Sequence, residues 1–536
     1  MTTRPPRQAG RAKRSVAQSR PKSSPQAKAT SATMPAAPPR RVLIEVIGRY
    51  HWLNPAVMDI MRQRYGTRFI VIAGSEEVRA WYLERTGPED EILTYDEIED
   101  VEISIDPEAD AQKAWDNEEA YATNYLLDII QQDRAIFGTY LPYAASSWSK
   151  RPTPSLELLT ARINHYFQWA DDLLRRNQID LVLIRPTGIC NTTIIHVAMA
   201  RGLPISMSRP SRYASYVTWT YGPYSANNIL KQAYEQAPRP KALPEIEILP
   251  PEGSRQVFEA YLKRRSLRSF MRTLLLIVYN QSVKTYRALI VRKTGKLPPM
   301  LSPIRDQFQS RRLEARLEAL SKKDLAELSE KPFVLLLLPK EPEYTVQSLA
   351  REFSNVKAIA QQLALALPAG FNLVIKEHSR IGYRSMSFYT DLLKLPNVLF
   401  ASARIPGISL IRESRAVATV AGTAAVEAAL VGKRAVIFTD RVEYSFLPSI
   451  AIVASFRDLA KTLRDAVRPL SDKESDEFRR CGLRYRAAIV ATSFDARGTK
   501  VFDGDGELDP GEAERAVDIL MRSYEMQLGH GLRQGG

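Results

Sequence analysis

The sequence predicts an α/β protein with two domains, each built around a parallel β-sheet with helices on both faces. Short apolar runs alternate with longer helical stretches over residues 41–225, and the same alternation returns over residues 331–470. Such alternation is typical of parallel strands joined by helical crossovers. The chain has 536 residues, of which 45% are hydrophobic, so it is long enough to bury two separate cores.

The first forty residues differ in composition from the rest of the chain. Residues 1–41 contain ten Lys or Arg and no acidic residue, and large apolar side chains are almost absent from them. A segment of this kind cannot bury enough apolar surface to offset the entropy that it loses on ordering. We therefore expect residues 1–40 to form a disordered basic tail.

The first predicted domain, residues 41–225, is expected to be Rossmann-like. The predicted strands are residues 42–48, 68–73 and 181–184, and the predicted helices are residues 54–65, 118–137, 155–177 and 191–201. Short apolar strands between longer amphipathic helices are the pattern of βαβ units. These units predict a doubly wound sheet.

Residues 226–330 interrupt this alternation and predict a basic helical connector. Residues 255–316 contain fifteen Lys or Arg against three acidic residues, so they hold much of the formal charge of +15. The apolar run at residues 270–283, flanked by basic residues, suits either packing between the domains or contact with anionic lipid headgroups. No nucleic-acid module is recognisable, so a specific nucleic-acid partner is not expected.

The second predicted domain, residues 331–470, repeats the Rossmann-like pattern. Its first strand, residues 333–338, is almost continuously apolar, as expected for a strand that is buried on both faces. The other predicted strands are residues 372–376, 398–400, 416–420 and 435–438, and the long predicted helix is residues 346–367. Residues 471–536 are predicted to form C-terminal helices, which cross back onto the first domain, and a tail.

The stretch that is most informative about function is AVATVAGTAAVEAALVGKRAVIF at residues 416–438. A glycine directly after a strand lets the backbone approach a ligand closely, and the free N–H groups of the next helix favour an anion such as phosphate. Gly422, Thr423 and Ala424 are therefore candidate ligand-binding residues, and Glu427 is a candidate acceptor of hydrogen bonds from a ribose. An ordinary βαβ turn, with Glu427 complementing the helix dipole, is the alternative.

A second group of candidate ligand-binding residues follows the predicted strand 372–376. Lys376, His378 and Arg380 lie at the carboxyl end of that strand, where open α/β sheets bind their ligands. An imidazole can donate a hydrogen bond and the cations can offset charge, so the three residues suit a diphosphate. A solvated polar loop is the alternative.

Three stretches resemble the bacterial capsule polysaccharide synthesis family, namely LLLLPKEPEYTVQSLA, KEHSRIGYRSMSFYTDL and PGISLIRESRAVATVAGTAAVEAALVGKRAVIF. That family includes transferases for Kdo and other sugars and is similar in fold to GT-B glycosyltransferases. The resemblance implies a GT-B-like arrangement, a nucleotide-sugar donor, a polysaccharide or lipid-linked acceptor, and no metal or other cofactor. By this resemblance, the residues expected to bind the donor are Lys376, His378, Gly422, Thr423 and Glu427. The chain departs from the family at Ser379, where a proline is usual.

The catalytic base is expected in the first domain, because GT-B enzymes usually place it there, facing the cleft. The candidates are Glu45, His51 and Asp133, which lie at predicted strand or helix ends. A buried ion pair or the surface of a helix would explain these residues equally well.

The two cysteines cannot build a disulfide framework, and neither a signal peptide nor a long apolar run is found. The sequence therefore predicts a cytoplasmic protein. The inner face of the cytoplasmic membrane is a candidate contact, through residues 255–316 and the N-terminal tail. The predicted activity is transfer of a sugar from a nucleotide-sugar donor in capsular or other surface polysaccharide biosynthesis. A nucleotide-sugar epimerase of the same fold and a non-catalytic capsule assembly or export protein are the alternatives.

Overall fold

A computed structural model gives the fold of most of the chain after the basic tail. The described residues are 37–46, 53–99, 101–140, 153–225, 227–244, 267–286, 289, 302–378, 384–502, 504 and 506–529. Most of the predicted tail, residues 1–36, lies outside them. Residues Pro39 and Arg40 already contact the first domain, since the Thr67 hydroxyl donates to the Pro39 carbonyl at 2.9 Å and the Arg40 amide donates to Asp180 at 2.7 Å.

The first domain is built on a five-stranded parallel sheet in the order β3-β2-β1-β4-β5. Its strands are β1 (Arg41–Val46), β2 (Arg68–Ala73), β3 (Glu91–Thr94), β4 (Leu181–Leu183) and β5 (Ile205–Ser206). Helices on both faces span Asn54–Tyr65, Glu76–Leu83, Tyr95–Glu99, Pro107–Ala120, Arg134–Tyr140, Leu156–Arg176 and Ile189–Ala200. This strand order confirms the predicted Rossmann-like domain, and it reverses direction between β1 and β4.

A short hairpin follows the first sheet and was not predicted. It consists of β6 (Ser208–Pro210) and β7 (Tyr216–Trp219), which pair antiparallel. In the turn between them Ala214 adopts a left-handed φ of 46°, which is uncommon for a residue with a side chain. Strands of three and four residues carry too little periodicity to be recognised in the sequence.

The second domain contains a six-stranded parallel sheet in the order β10-β9-β8-β11-β12-β13. Its strands are β8 (Phe333–Leu337), β9 (Asn372–Lys376), β10 (Val398–Ala401), β11 (Ala416–Thr419), β12 (Arg434–Ile437) and β13 (Ile450–Ile452). The helices around it span Tyr344–Gln347, Val356–Ala366, Met386–Leu392, Gly407–Glu413, Ala424–Leu430 and Leu459–Val467. The second Rossmann-like domain is thus confirmed as well, with the strand order reversing between β8 and β11.

The described part of the connector is helical, as predicted. Its helices span Asn228–Gln236, Leu267–Tyr286, Ser302–Leu320 and Leu325–Ser329. Leu313 and Leu317 pack into the core of the second domain, and the ring of Phe308 contacts that of Phe270 edge-on with 5.1 Å between centroids. No helix within the described ranges is long and apolar enough to span a bilayer.

The C-terminal segment visits both domains. Helix Asp472–Ala491 packs on helix Ala424–Leu430 of the second domain, and β14 (Phe494–Asp495) then joins the hairpin beside β7. Helix Pro510–Gly529 ends the described chain, packing against helix Asn54–Tyr65 and contributing Val517 and Leu520 to the first core. The predicted return of the C-terminal helices onto the first domain is confirmed for this last helix.

Two predicted helices are broken in the structure. The stretch predicted as one helix at residues 118–137 contains the end of helix Pro107–Ala120, a π-helix at Tyr125–Ile130 and the start of helix Arg134–Tyr140. Ala122 has a left-handed φ of 46°, which ends the first helix there.

The long helix predicted at residues 346–367 is also interrupted, because a separate helix begins at Val356. Asn355 begins helix Val356–Ala366 by accepting a hydrogen bond from the Ala358 amide at 3.1 Å.

The two domains meet where Gln131 and the segment after β4 contact the segment after β8. Gln131 donates a hydrogen bond to the carbonyl of Arg351 at 2.7 Å, and Gln347 donates to the carbonyl of Gln131 at 2.9 Å. The Ser348 hydroxyl donates to the carbonyl of Pro186 at 3.2 Å. The segments that follow β4 and β8 therefore contact each other, in keeping with the expected GT-B-like arrangement.

Candidate functional site

The turn at residues 420–423, here named the Gly422 turn, lies where the strand order of the second sheet reverses. It follows β11, which pairs with β8 on one side and with β12 on the other. The carboxyl ends of β8 and β11 therefore border a crevice of the kind in which open α/β sheets bind ligands. Glu45 lies at the corresponding place in the first sheet. It belongs to β1, which pairs with β4 where the strand order of that sheet reverses.

Gly422 is closely surrounded by Thr419 and Tyr444. Its amide donates to Thr419 Oγ1 at 3.2 Å, and its carbonyl accepts a hydrogen bond from the Tyr444 hydroxyl at 2.7 Å. A Cβ at this position would lie 2.5 Å from Thr419 Oγ1, so only glycine fits without a shift. The Gly422 amide was a candidate hydrogen-bond donor to an anion, but it already donates to Thr419.

The next three amides are better placed for that role. No described residue accepts a hydrogen bond from the amides of Thr423, Ala424 and Ala425, which begin helix Ala424–Leu430. Free amides at the start of a helix favour an anionic ligand. The candidate anion site thus lies one residue further along the chain than the glycine.

Glu427 projects beside these amides and is only partly exposed. The Thr423 hydroxyl donates to its Oε1 at 3.3 Å, and the Thr423 side chain caps no backbone amide. Burial raises the pKa of the Glu427 carboxyl above its ordinary value, and the hydrogen bond from Thr423 opposes this shift. A carboxylate with a free oxygen at the edge of a crevice can accept hydrogen bonds from ligand hydroxyls.

Lys376 ends β9, and its ammonium contacts backbone oxygens. Its Nζ donates to the carbonyls of Ser402 and Ala403 at 3.2 and 3.3 Å, and only 8% of the residue is exposed. Burial lowers the pKa of Lys376 to about 8, although the nearby charge of Glu318 acts in the opposite direction. Its contact with a donor phosphate stays a prediction.

His378 is partly exposed and is attached to a buried ion-pair network. The His378 amide donates to Glu377 Oε1 at 2.8 Å. Glu377 also accepts hydrogen bonds from Arg384 and from the Tyr389 hydroxyl, both at 2.6 Å. Arg384 reaches Glu341 after β8 at 2.8 Å. Glu377 therefore connects His378 with Arg384.

Glu45 is buried in a second polar cluster. Its carboxylate accepts hydrogen bonds from the Tyr95 hydroxyl at 3.1 Å, from Asn191 at 2.5 Å and from the Arg185 amide at 3.2 Å. Burial raises the pKa of Glu45, and the charge of Arg185 opposes the shift. The residue also lines a small cleft with Trp219 at the ends of β1 and β4. These contacts fit the buried ion pair that the sequence left open, and the catalytic role stays a prediction.

Asp133 caps a helix. Its Oδ1 accepts hydrogen bonds from the amides of Ala135 and Ile136 at 2.8 and 3.0 Å, at the start of helix Arg134–Tyr140. Its Oδ2 lies 3.6 Å from where a Cβ on Gly188 would stand, so the free oxygen faces the loop after β4. The cap explains the residue structurally, while its role as a base stays a prediction.

Two predicted site residues, His51 and Arg380, lie outside the described residues.

His196 is buried within helix Ile189–Ala200, with Nε2 3.3 Å from the Thr123 hydroxyl. Burial lowers the pKa of His196 to about 4, so the ring is neutral at physiological pH. This agrees with its interpretation as a packing residue.

Sequence reasoning missed a charged cluster beside the Gly422 turn. Arg212 donates through Nε to Glu443 Oε1 at 2.7 Å, and Arg209 Nη2 lies 3.7 Å from Glu443 Oε2. Glu443 follows β12 in the second domain, whereas both arginines belong to the hairpin of the first. A carboxylate soon after a strand of the second sheet was a usable signal, but its partners lie more than two hundred residues away in sequence.

No group of three His, Cys, Asp or Glu residues within the described ranges is placed to hold a metal ion. The expectation that no metal or other cofactor is required stays a prediction.

Comparison with known proteins gives no family assignment. No protein-family model matches the chain, and no curated protein matches it. Among solved structures, a UDP-GlcNAc 2-epimerase from Neisseria meningitidis aligns over 90% of this chain and 100% of its own, with 12% identity and a TM-score of 0.28. The corresponding epimerase from Methanocaldococcus jannaschii covers 90% and 99%, with 9% identity and a TM-score of 0.27. A calicheamicin glycosyltransferase covers 92% and 98%, with 14% identity and a TM-score of 0.26. TM-scores this low carry no information on activity, and the fold is established by the two parallel sheets.

Proposed function

We propose that this protein is a glycosyltransferase that uses a nucleotide-sugar donor in the synthesis of capsular or other surface polysaccharide. One observation carries the proposal. Glu427, a carboxylate with a free oxygen, stands beside the unpaired amides of Thr423 and Ala424 at the reversal point of the second sheet. A nucleotide offers the matching groups, since its ribose supplies hydroxyl donors and its phosphates supply acceptors for the amides.

The proposed donor site extends from the Gly422 turn toward the end of β9. His378 would donate a hydrogen bond to donor phosphate, and Lys376 would add positive charge from its buried position. Because the pKa of Lys376 is lowered to about 8, this charge weakens as the pH rises above that value. Backbone amides and cations can stabilise a leaving diphosphate without a metal ion.

The acceptor would enter from the first domain, as a polysaccharide or lipid-linked hydroxyl. Transfer requires that this hydroxyl lose its proton as the new bond forms. Glu45 is the first-domain carboxyl at the corresponding sheet edge, and its raised pKa suits a general base. Its three hydrogen bonds mean that it would first have to release a partner.

Thermal-shift measurements against a panel of nucleotide sugars test the donor site. We expect at least one nucleotide sugar to raise the melting temperature of the wild type, and Glu427→Gln and His378→Ala to reduce that shift. Glu413→Gln, which changes an exposed carboxylate at the end of helix Gly407–Glu413, serves as the matched control. If no nucleotide sugar stabilises the wild type, or if both site variants respond as it does, the donor site is wrong.

An epimerase of nucleotide sugars is the second candidate function. The observation in its favour is Glu45, a buried first-domain carboxyl of raised pKa that could exchange a proton with a sugar carbon. Incubating the protein with the stabilising nucleotide sugar in deuterated water, with no acceptor, separates the candidates. Deuterium incorporation into recovered sugar indicates epimerisation, whereas transfer needs an added acceptor. Binding without either reaction indicates a non-catalytic assembly protein.

Helix Leu267–Tyr286 supports a proposed contact with an anionic membrane surface. One side of it packs through Phe270 against Phe308. The other side exposes the large apolar side chains Met271, Leu275, Leu276, Val278 and Tyr279. Arg268 and Arg272 are exposed on the same face, and the helix contains no acidic residue. An apolar stripe with basic neighbours is complementary to anionic headgroups.

Co-sedimentation with vesicles tests this contact. We expect the protein to bind vesicles of phosphatidylglycerol and phosphatidylcholine, and to bind less as salt increases. Replacing both Leu275 and Tyr279 by Glu should abolish binding, whereas Leu83→Glu, at an exposed leucine of the first domain, should not. Equal binding by the double variant would contradict the proposal.

A further inference from the structure

The hairpin of the first domain places cationic groups beside the Gly422 turn. Arg212 Nη2 lies 3.5 Å from the carbonyl oxygen of Ala421, the residue before Gly422. The Arg212 guanidinium also lies 5.6 Å from the centroid of the Tyr444 ring, whose hydroxyl binds the Gly422 carbonyl. A ligand at the turn would therefore meet groups from both domains.

The charges in this cluster do not balance. Arg209 and Arg212 share one carboxylate, Glu443, and the three side chains are only 10%, 12% and 6% exposed. Together they carry one net positive charge away from bulk solvent. Burying an uncompensated charge costs free energy unless another anion pairs with it.

Arg209 also has unused hydrogen-bonding capacity. Its Nε and Nη1 atoms are buried, and no described residue accepts a hydrogen bond from them. Buried donors in folded proteins are nearly always paired, and leaving one unpaired is destabilising. Burial acts to raise the pKa of Glu443, but the charges of Arg209 and Arg212 outweigh it and lower that pKa. The carboxylate is therefore ionised and pairs with these arginines, yet it leaves two of their donors free.

We propose that Arg209 and Arg212 bind a phosphate group of the ligand at the Gly422 turn, and that Glu443 pairs with them when no phosphate is present. The inference rests on the proposed function, in which the turn binds a phosphate-bearing substrate. A phosphate dianion matches two guanidinium groups in charge and supplies acceptors for the free donors of Arg209. Because the arginines and Glu443 belong to different domains, exchanging Glu443 for phosphate links ligand binding to the domain contact.

Titration calorimetry of the full-length protein separates phosphate recognition from nucleoside recognition. The probes are inorganic pyrophosphate, the nucleotides UDP, GDP and CMP, and the corresponding nucleosides. We expect Arg209→Gln and Arg212→Gln each to weaken pyrophosphate and nucleotide binding about tenfold and to leave nucleoside binding unchanged. Glu443→Gln should tighten pyrophosphate binding, because it removes the competing charge. Arg434→Gln, at the amino end of β12, is the matched control and should change nothing.

The outcomes distinguish this inference from the proposed function. Nucleotide binding that depends on Glu427 but is equal in both arginine variants overturns the inference and leaves the donor site standing. Pyrophosphate binding that depends on the arginines, without any nucleotide binding, supports the inference and contradicts the nucleotide donor. No binding of any phosphate-bearing probe by the wild type overturns both.

The phosphate could come from the donor or from a lipid-linked acceptor, and competition identifies which. Farnesyl phosphate that displaces pyrophosphate from the wild type, where nucleotides do not, assigns the arginines to the acceptor. Displacement by nucleotides alone assigns them to the donor. If a glutamine variant does not fold, Arg209→Lys or Arg212→Lys replaces it. The lysine keeps the charge but loses the fork of donors, so weaker phosphate binding is again expected.

Discussion

The Tyr444 hydroxyl donates a hydrogen bond of 2.7 Å to the carbonyl oxygen of Gly422. Tyr444 lies in the loop after β12, so this bond connects the turns that follow two neighbouring strands. The Tyr444 ring is buried, and Arg212 of the first domain lies over it. The position of the candidate ligand-binding turn therefore depends on a residue that need not touch the ligand.

Tyr444→Phe should remove the hydrogen bond to the Gly422 carbonyl, while the phenyl ring still fills the same space. We expect a loss of about 1–2 kcal/mol in the free energy of unfolding, since the Gly422 carbonyl loses its partner, together with weaker nucleotide binding. Tyr82→Phe, which removes a buried hydroxyl near Asn54 in the first domain, is the control. Denaturant unfolding should show a stability loss in both variants, and calorimetry should show weaker binding only in Tyr444→Phe.

Gly422→Ala should be destabilising although the residue is small. The added Cβ would lie 2.5 Å from Thr419 Oγ1, so the Thr419 side chain, β11 or the turn must shift. We expect a loss of about 1–3 kcal/mol and weaker nucleotide binding. Adding Thr419→Ala should restore part of the stability, because it removes the clashing atom. Gly407→Ala, where a Cβ meets nothing within 4 Å, should have little effect on unfolding.

The sequence was sufficient to predict the parts of the fold that depend on local pattern. Buried strands such as β8 and the turn at Gly422 follow from apolar runs and from a glycine placed directly after one of them. The link between Arg212 and Glu443 could not be predicted, because 231 positions separate the two residues. Likewise, the use of the Gly422 amide by Thr419 depends on a side-chain rotamer, about which residue spacing carries no information.

In Gly482→Ala, the higher helix propensity of alanine is opposed by a steric clash. In an exposed helix this change would stabilise by about 1 kcal/mol. Here the new Cβ would lie 2.9 Å from the amide nitrogen of Leu430 and 3.1 Å from the carbonyl carbon of Ala429, and backbone atoms cannot rotate away. We therefore expect a net loss of about 1–3 kcal/mol in chemical denaturation. Gly529→Ala, at the open end of the last helix, should be neutral or slightly stabilising.

Arg384→Met should be among the most damaging single changes in the second domain. Arg384 is almost fully buried between Glu341 and Glu377, so its removal leaves two buried carboxylates without their cation. Breaking a buried pair in this way costs about 3–5 kcal/mol. Adding Glu341→Gln and Glu377→Gln should recover much of that loss, and failure to recover it would assign the damage to lost packing. Arg175→Met breaks an exposed pair with Asp172 and should cost under about 0.5 kcal/mol.

His196 should make the first domain sensitive to acid. Its pKa is about 4 in the folded protein, against an ordinary value of 6.5, because burial disfavours the charged ring. Between these two values the unfolded chain binds a proton that the folded chain does not, so stability falls as the pH falls from 6.5 to 4. The loss approaches about 3 kcal/mol at the lower limit.

His196→Gln keeps a partner for Thr123 but does not titrate, so its stability should fall less over this range. Urea unfolding at pH 7, 5.5 and 4.5 measures the difference, with His165→Gln, at a half-exposed histidine, as the control. Parallel pH profiles for His196→Gln and the wild type would show that the ring is not held neutral.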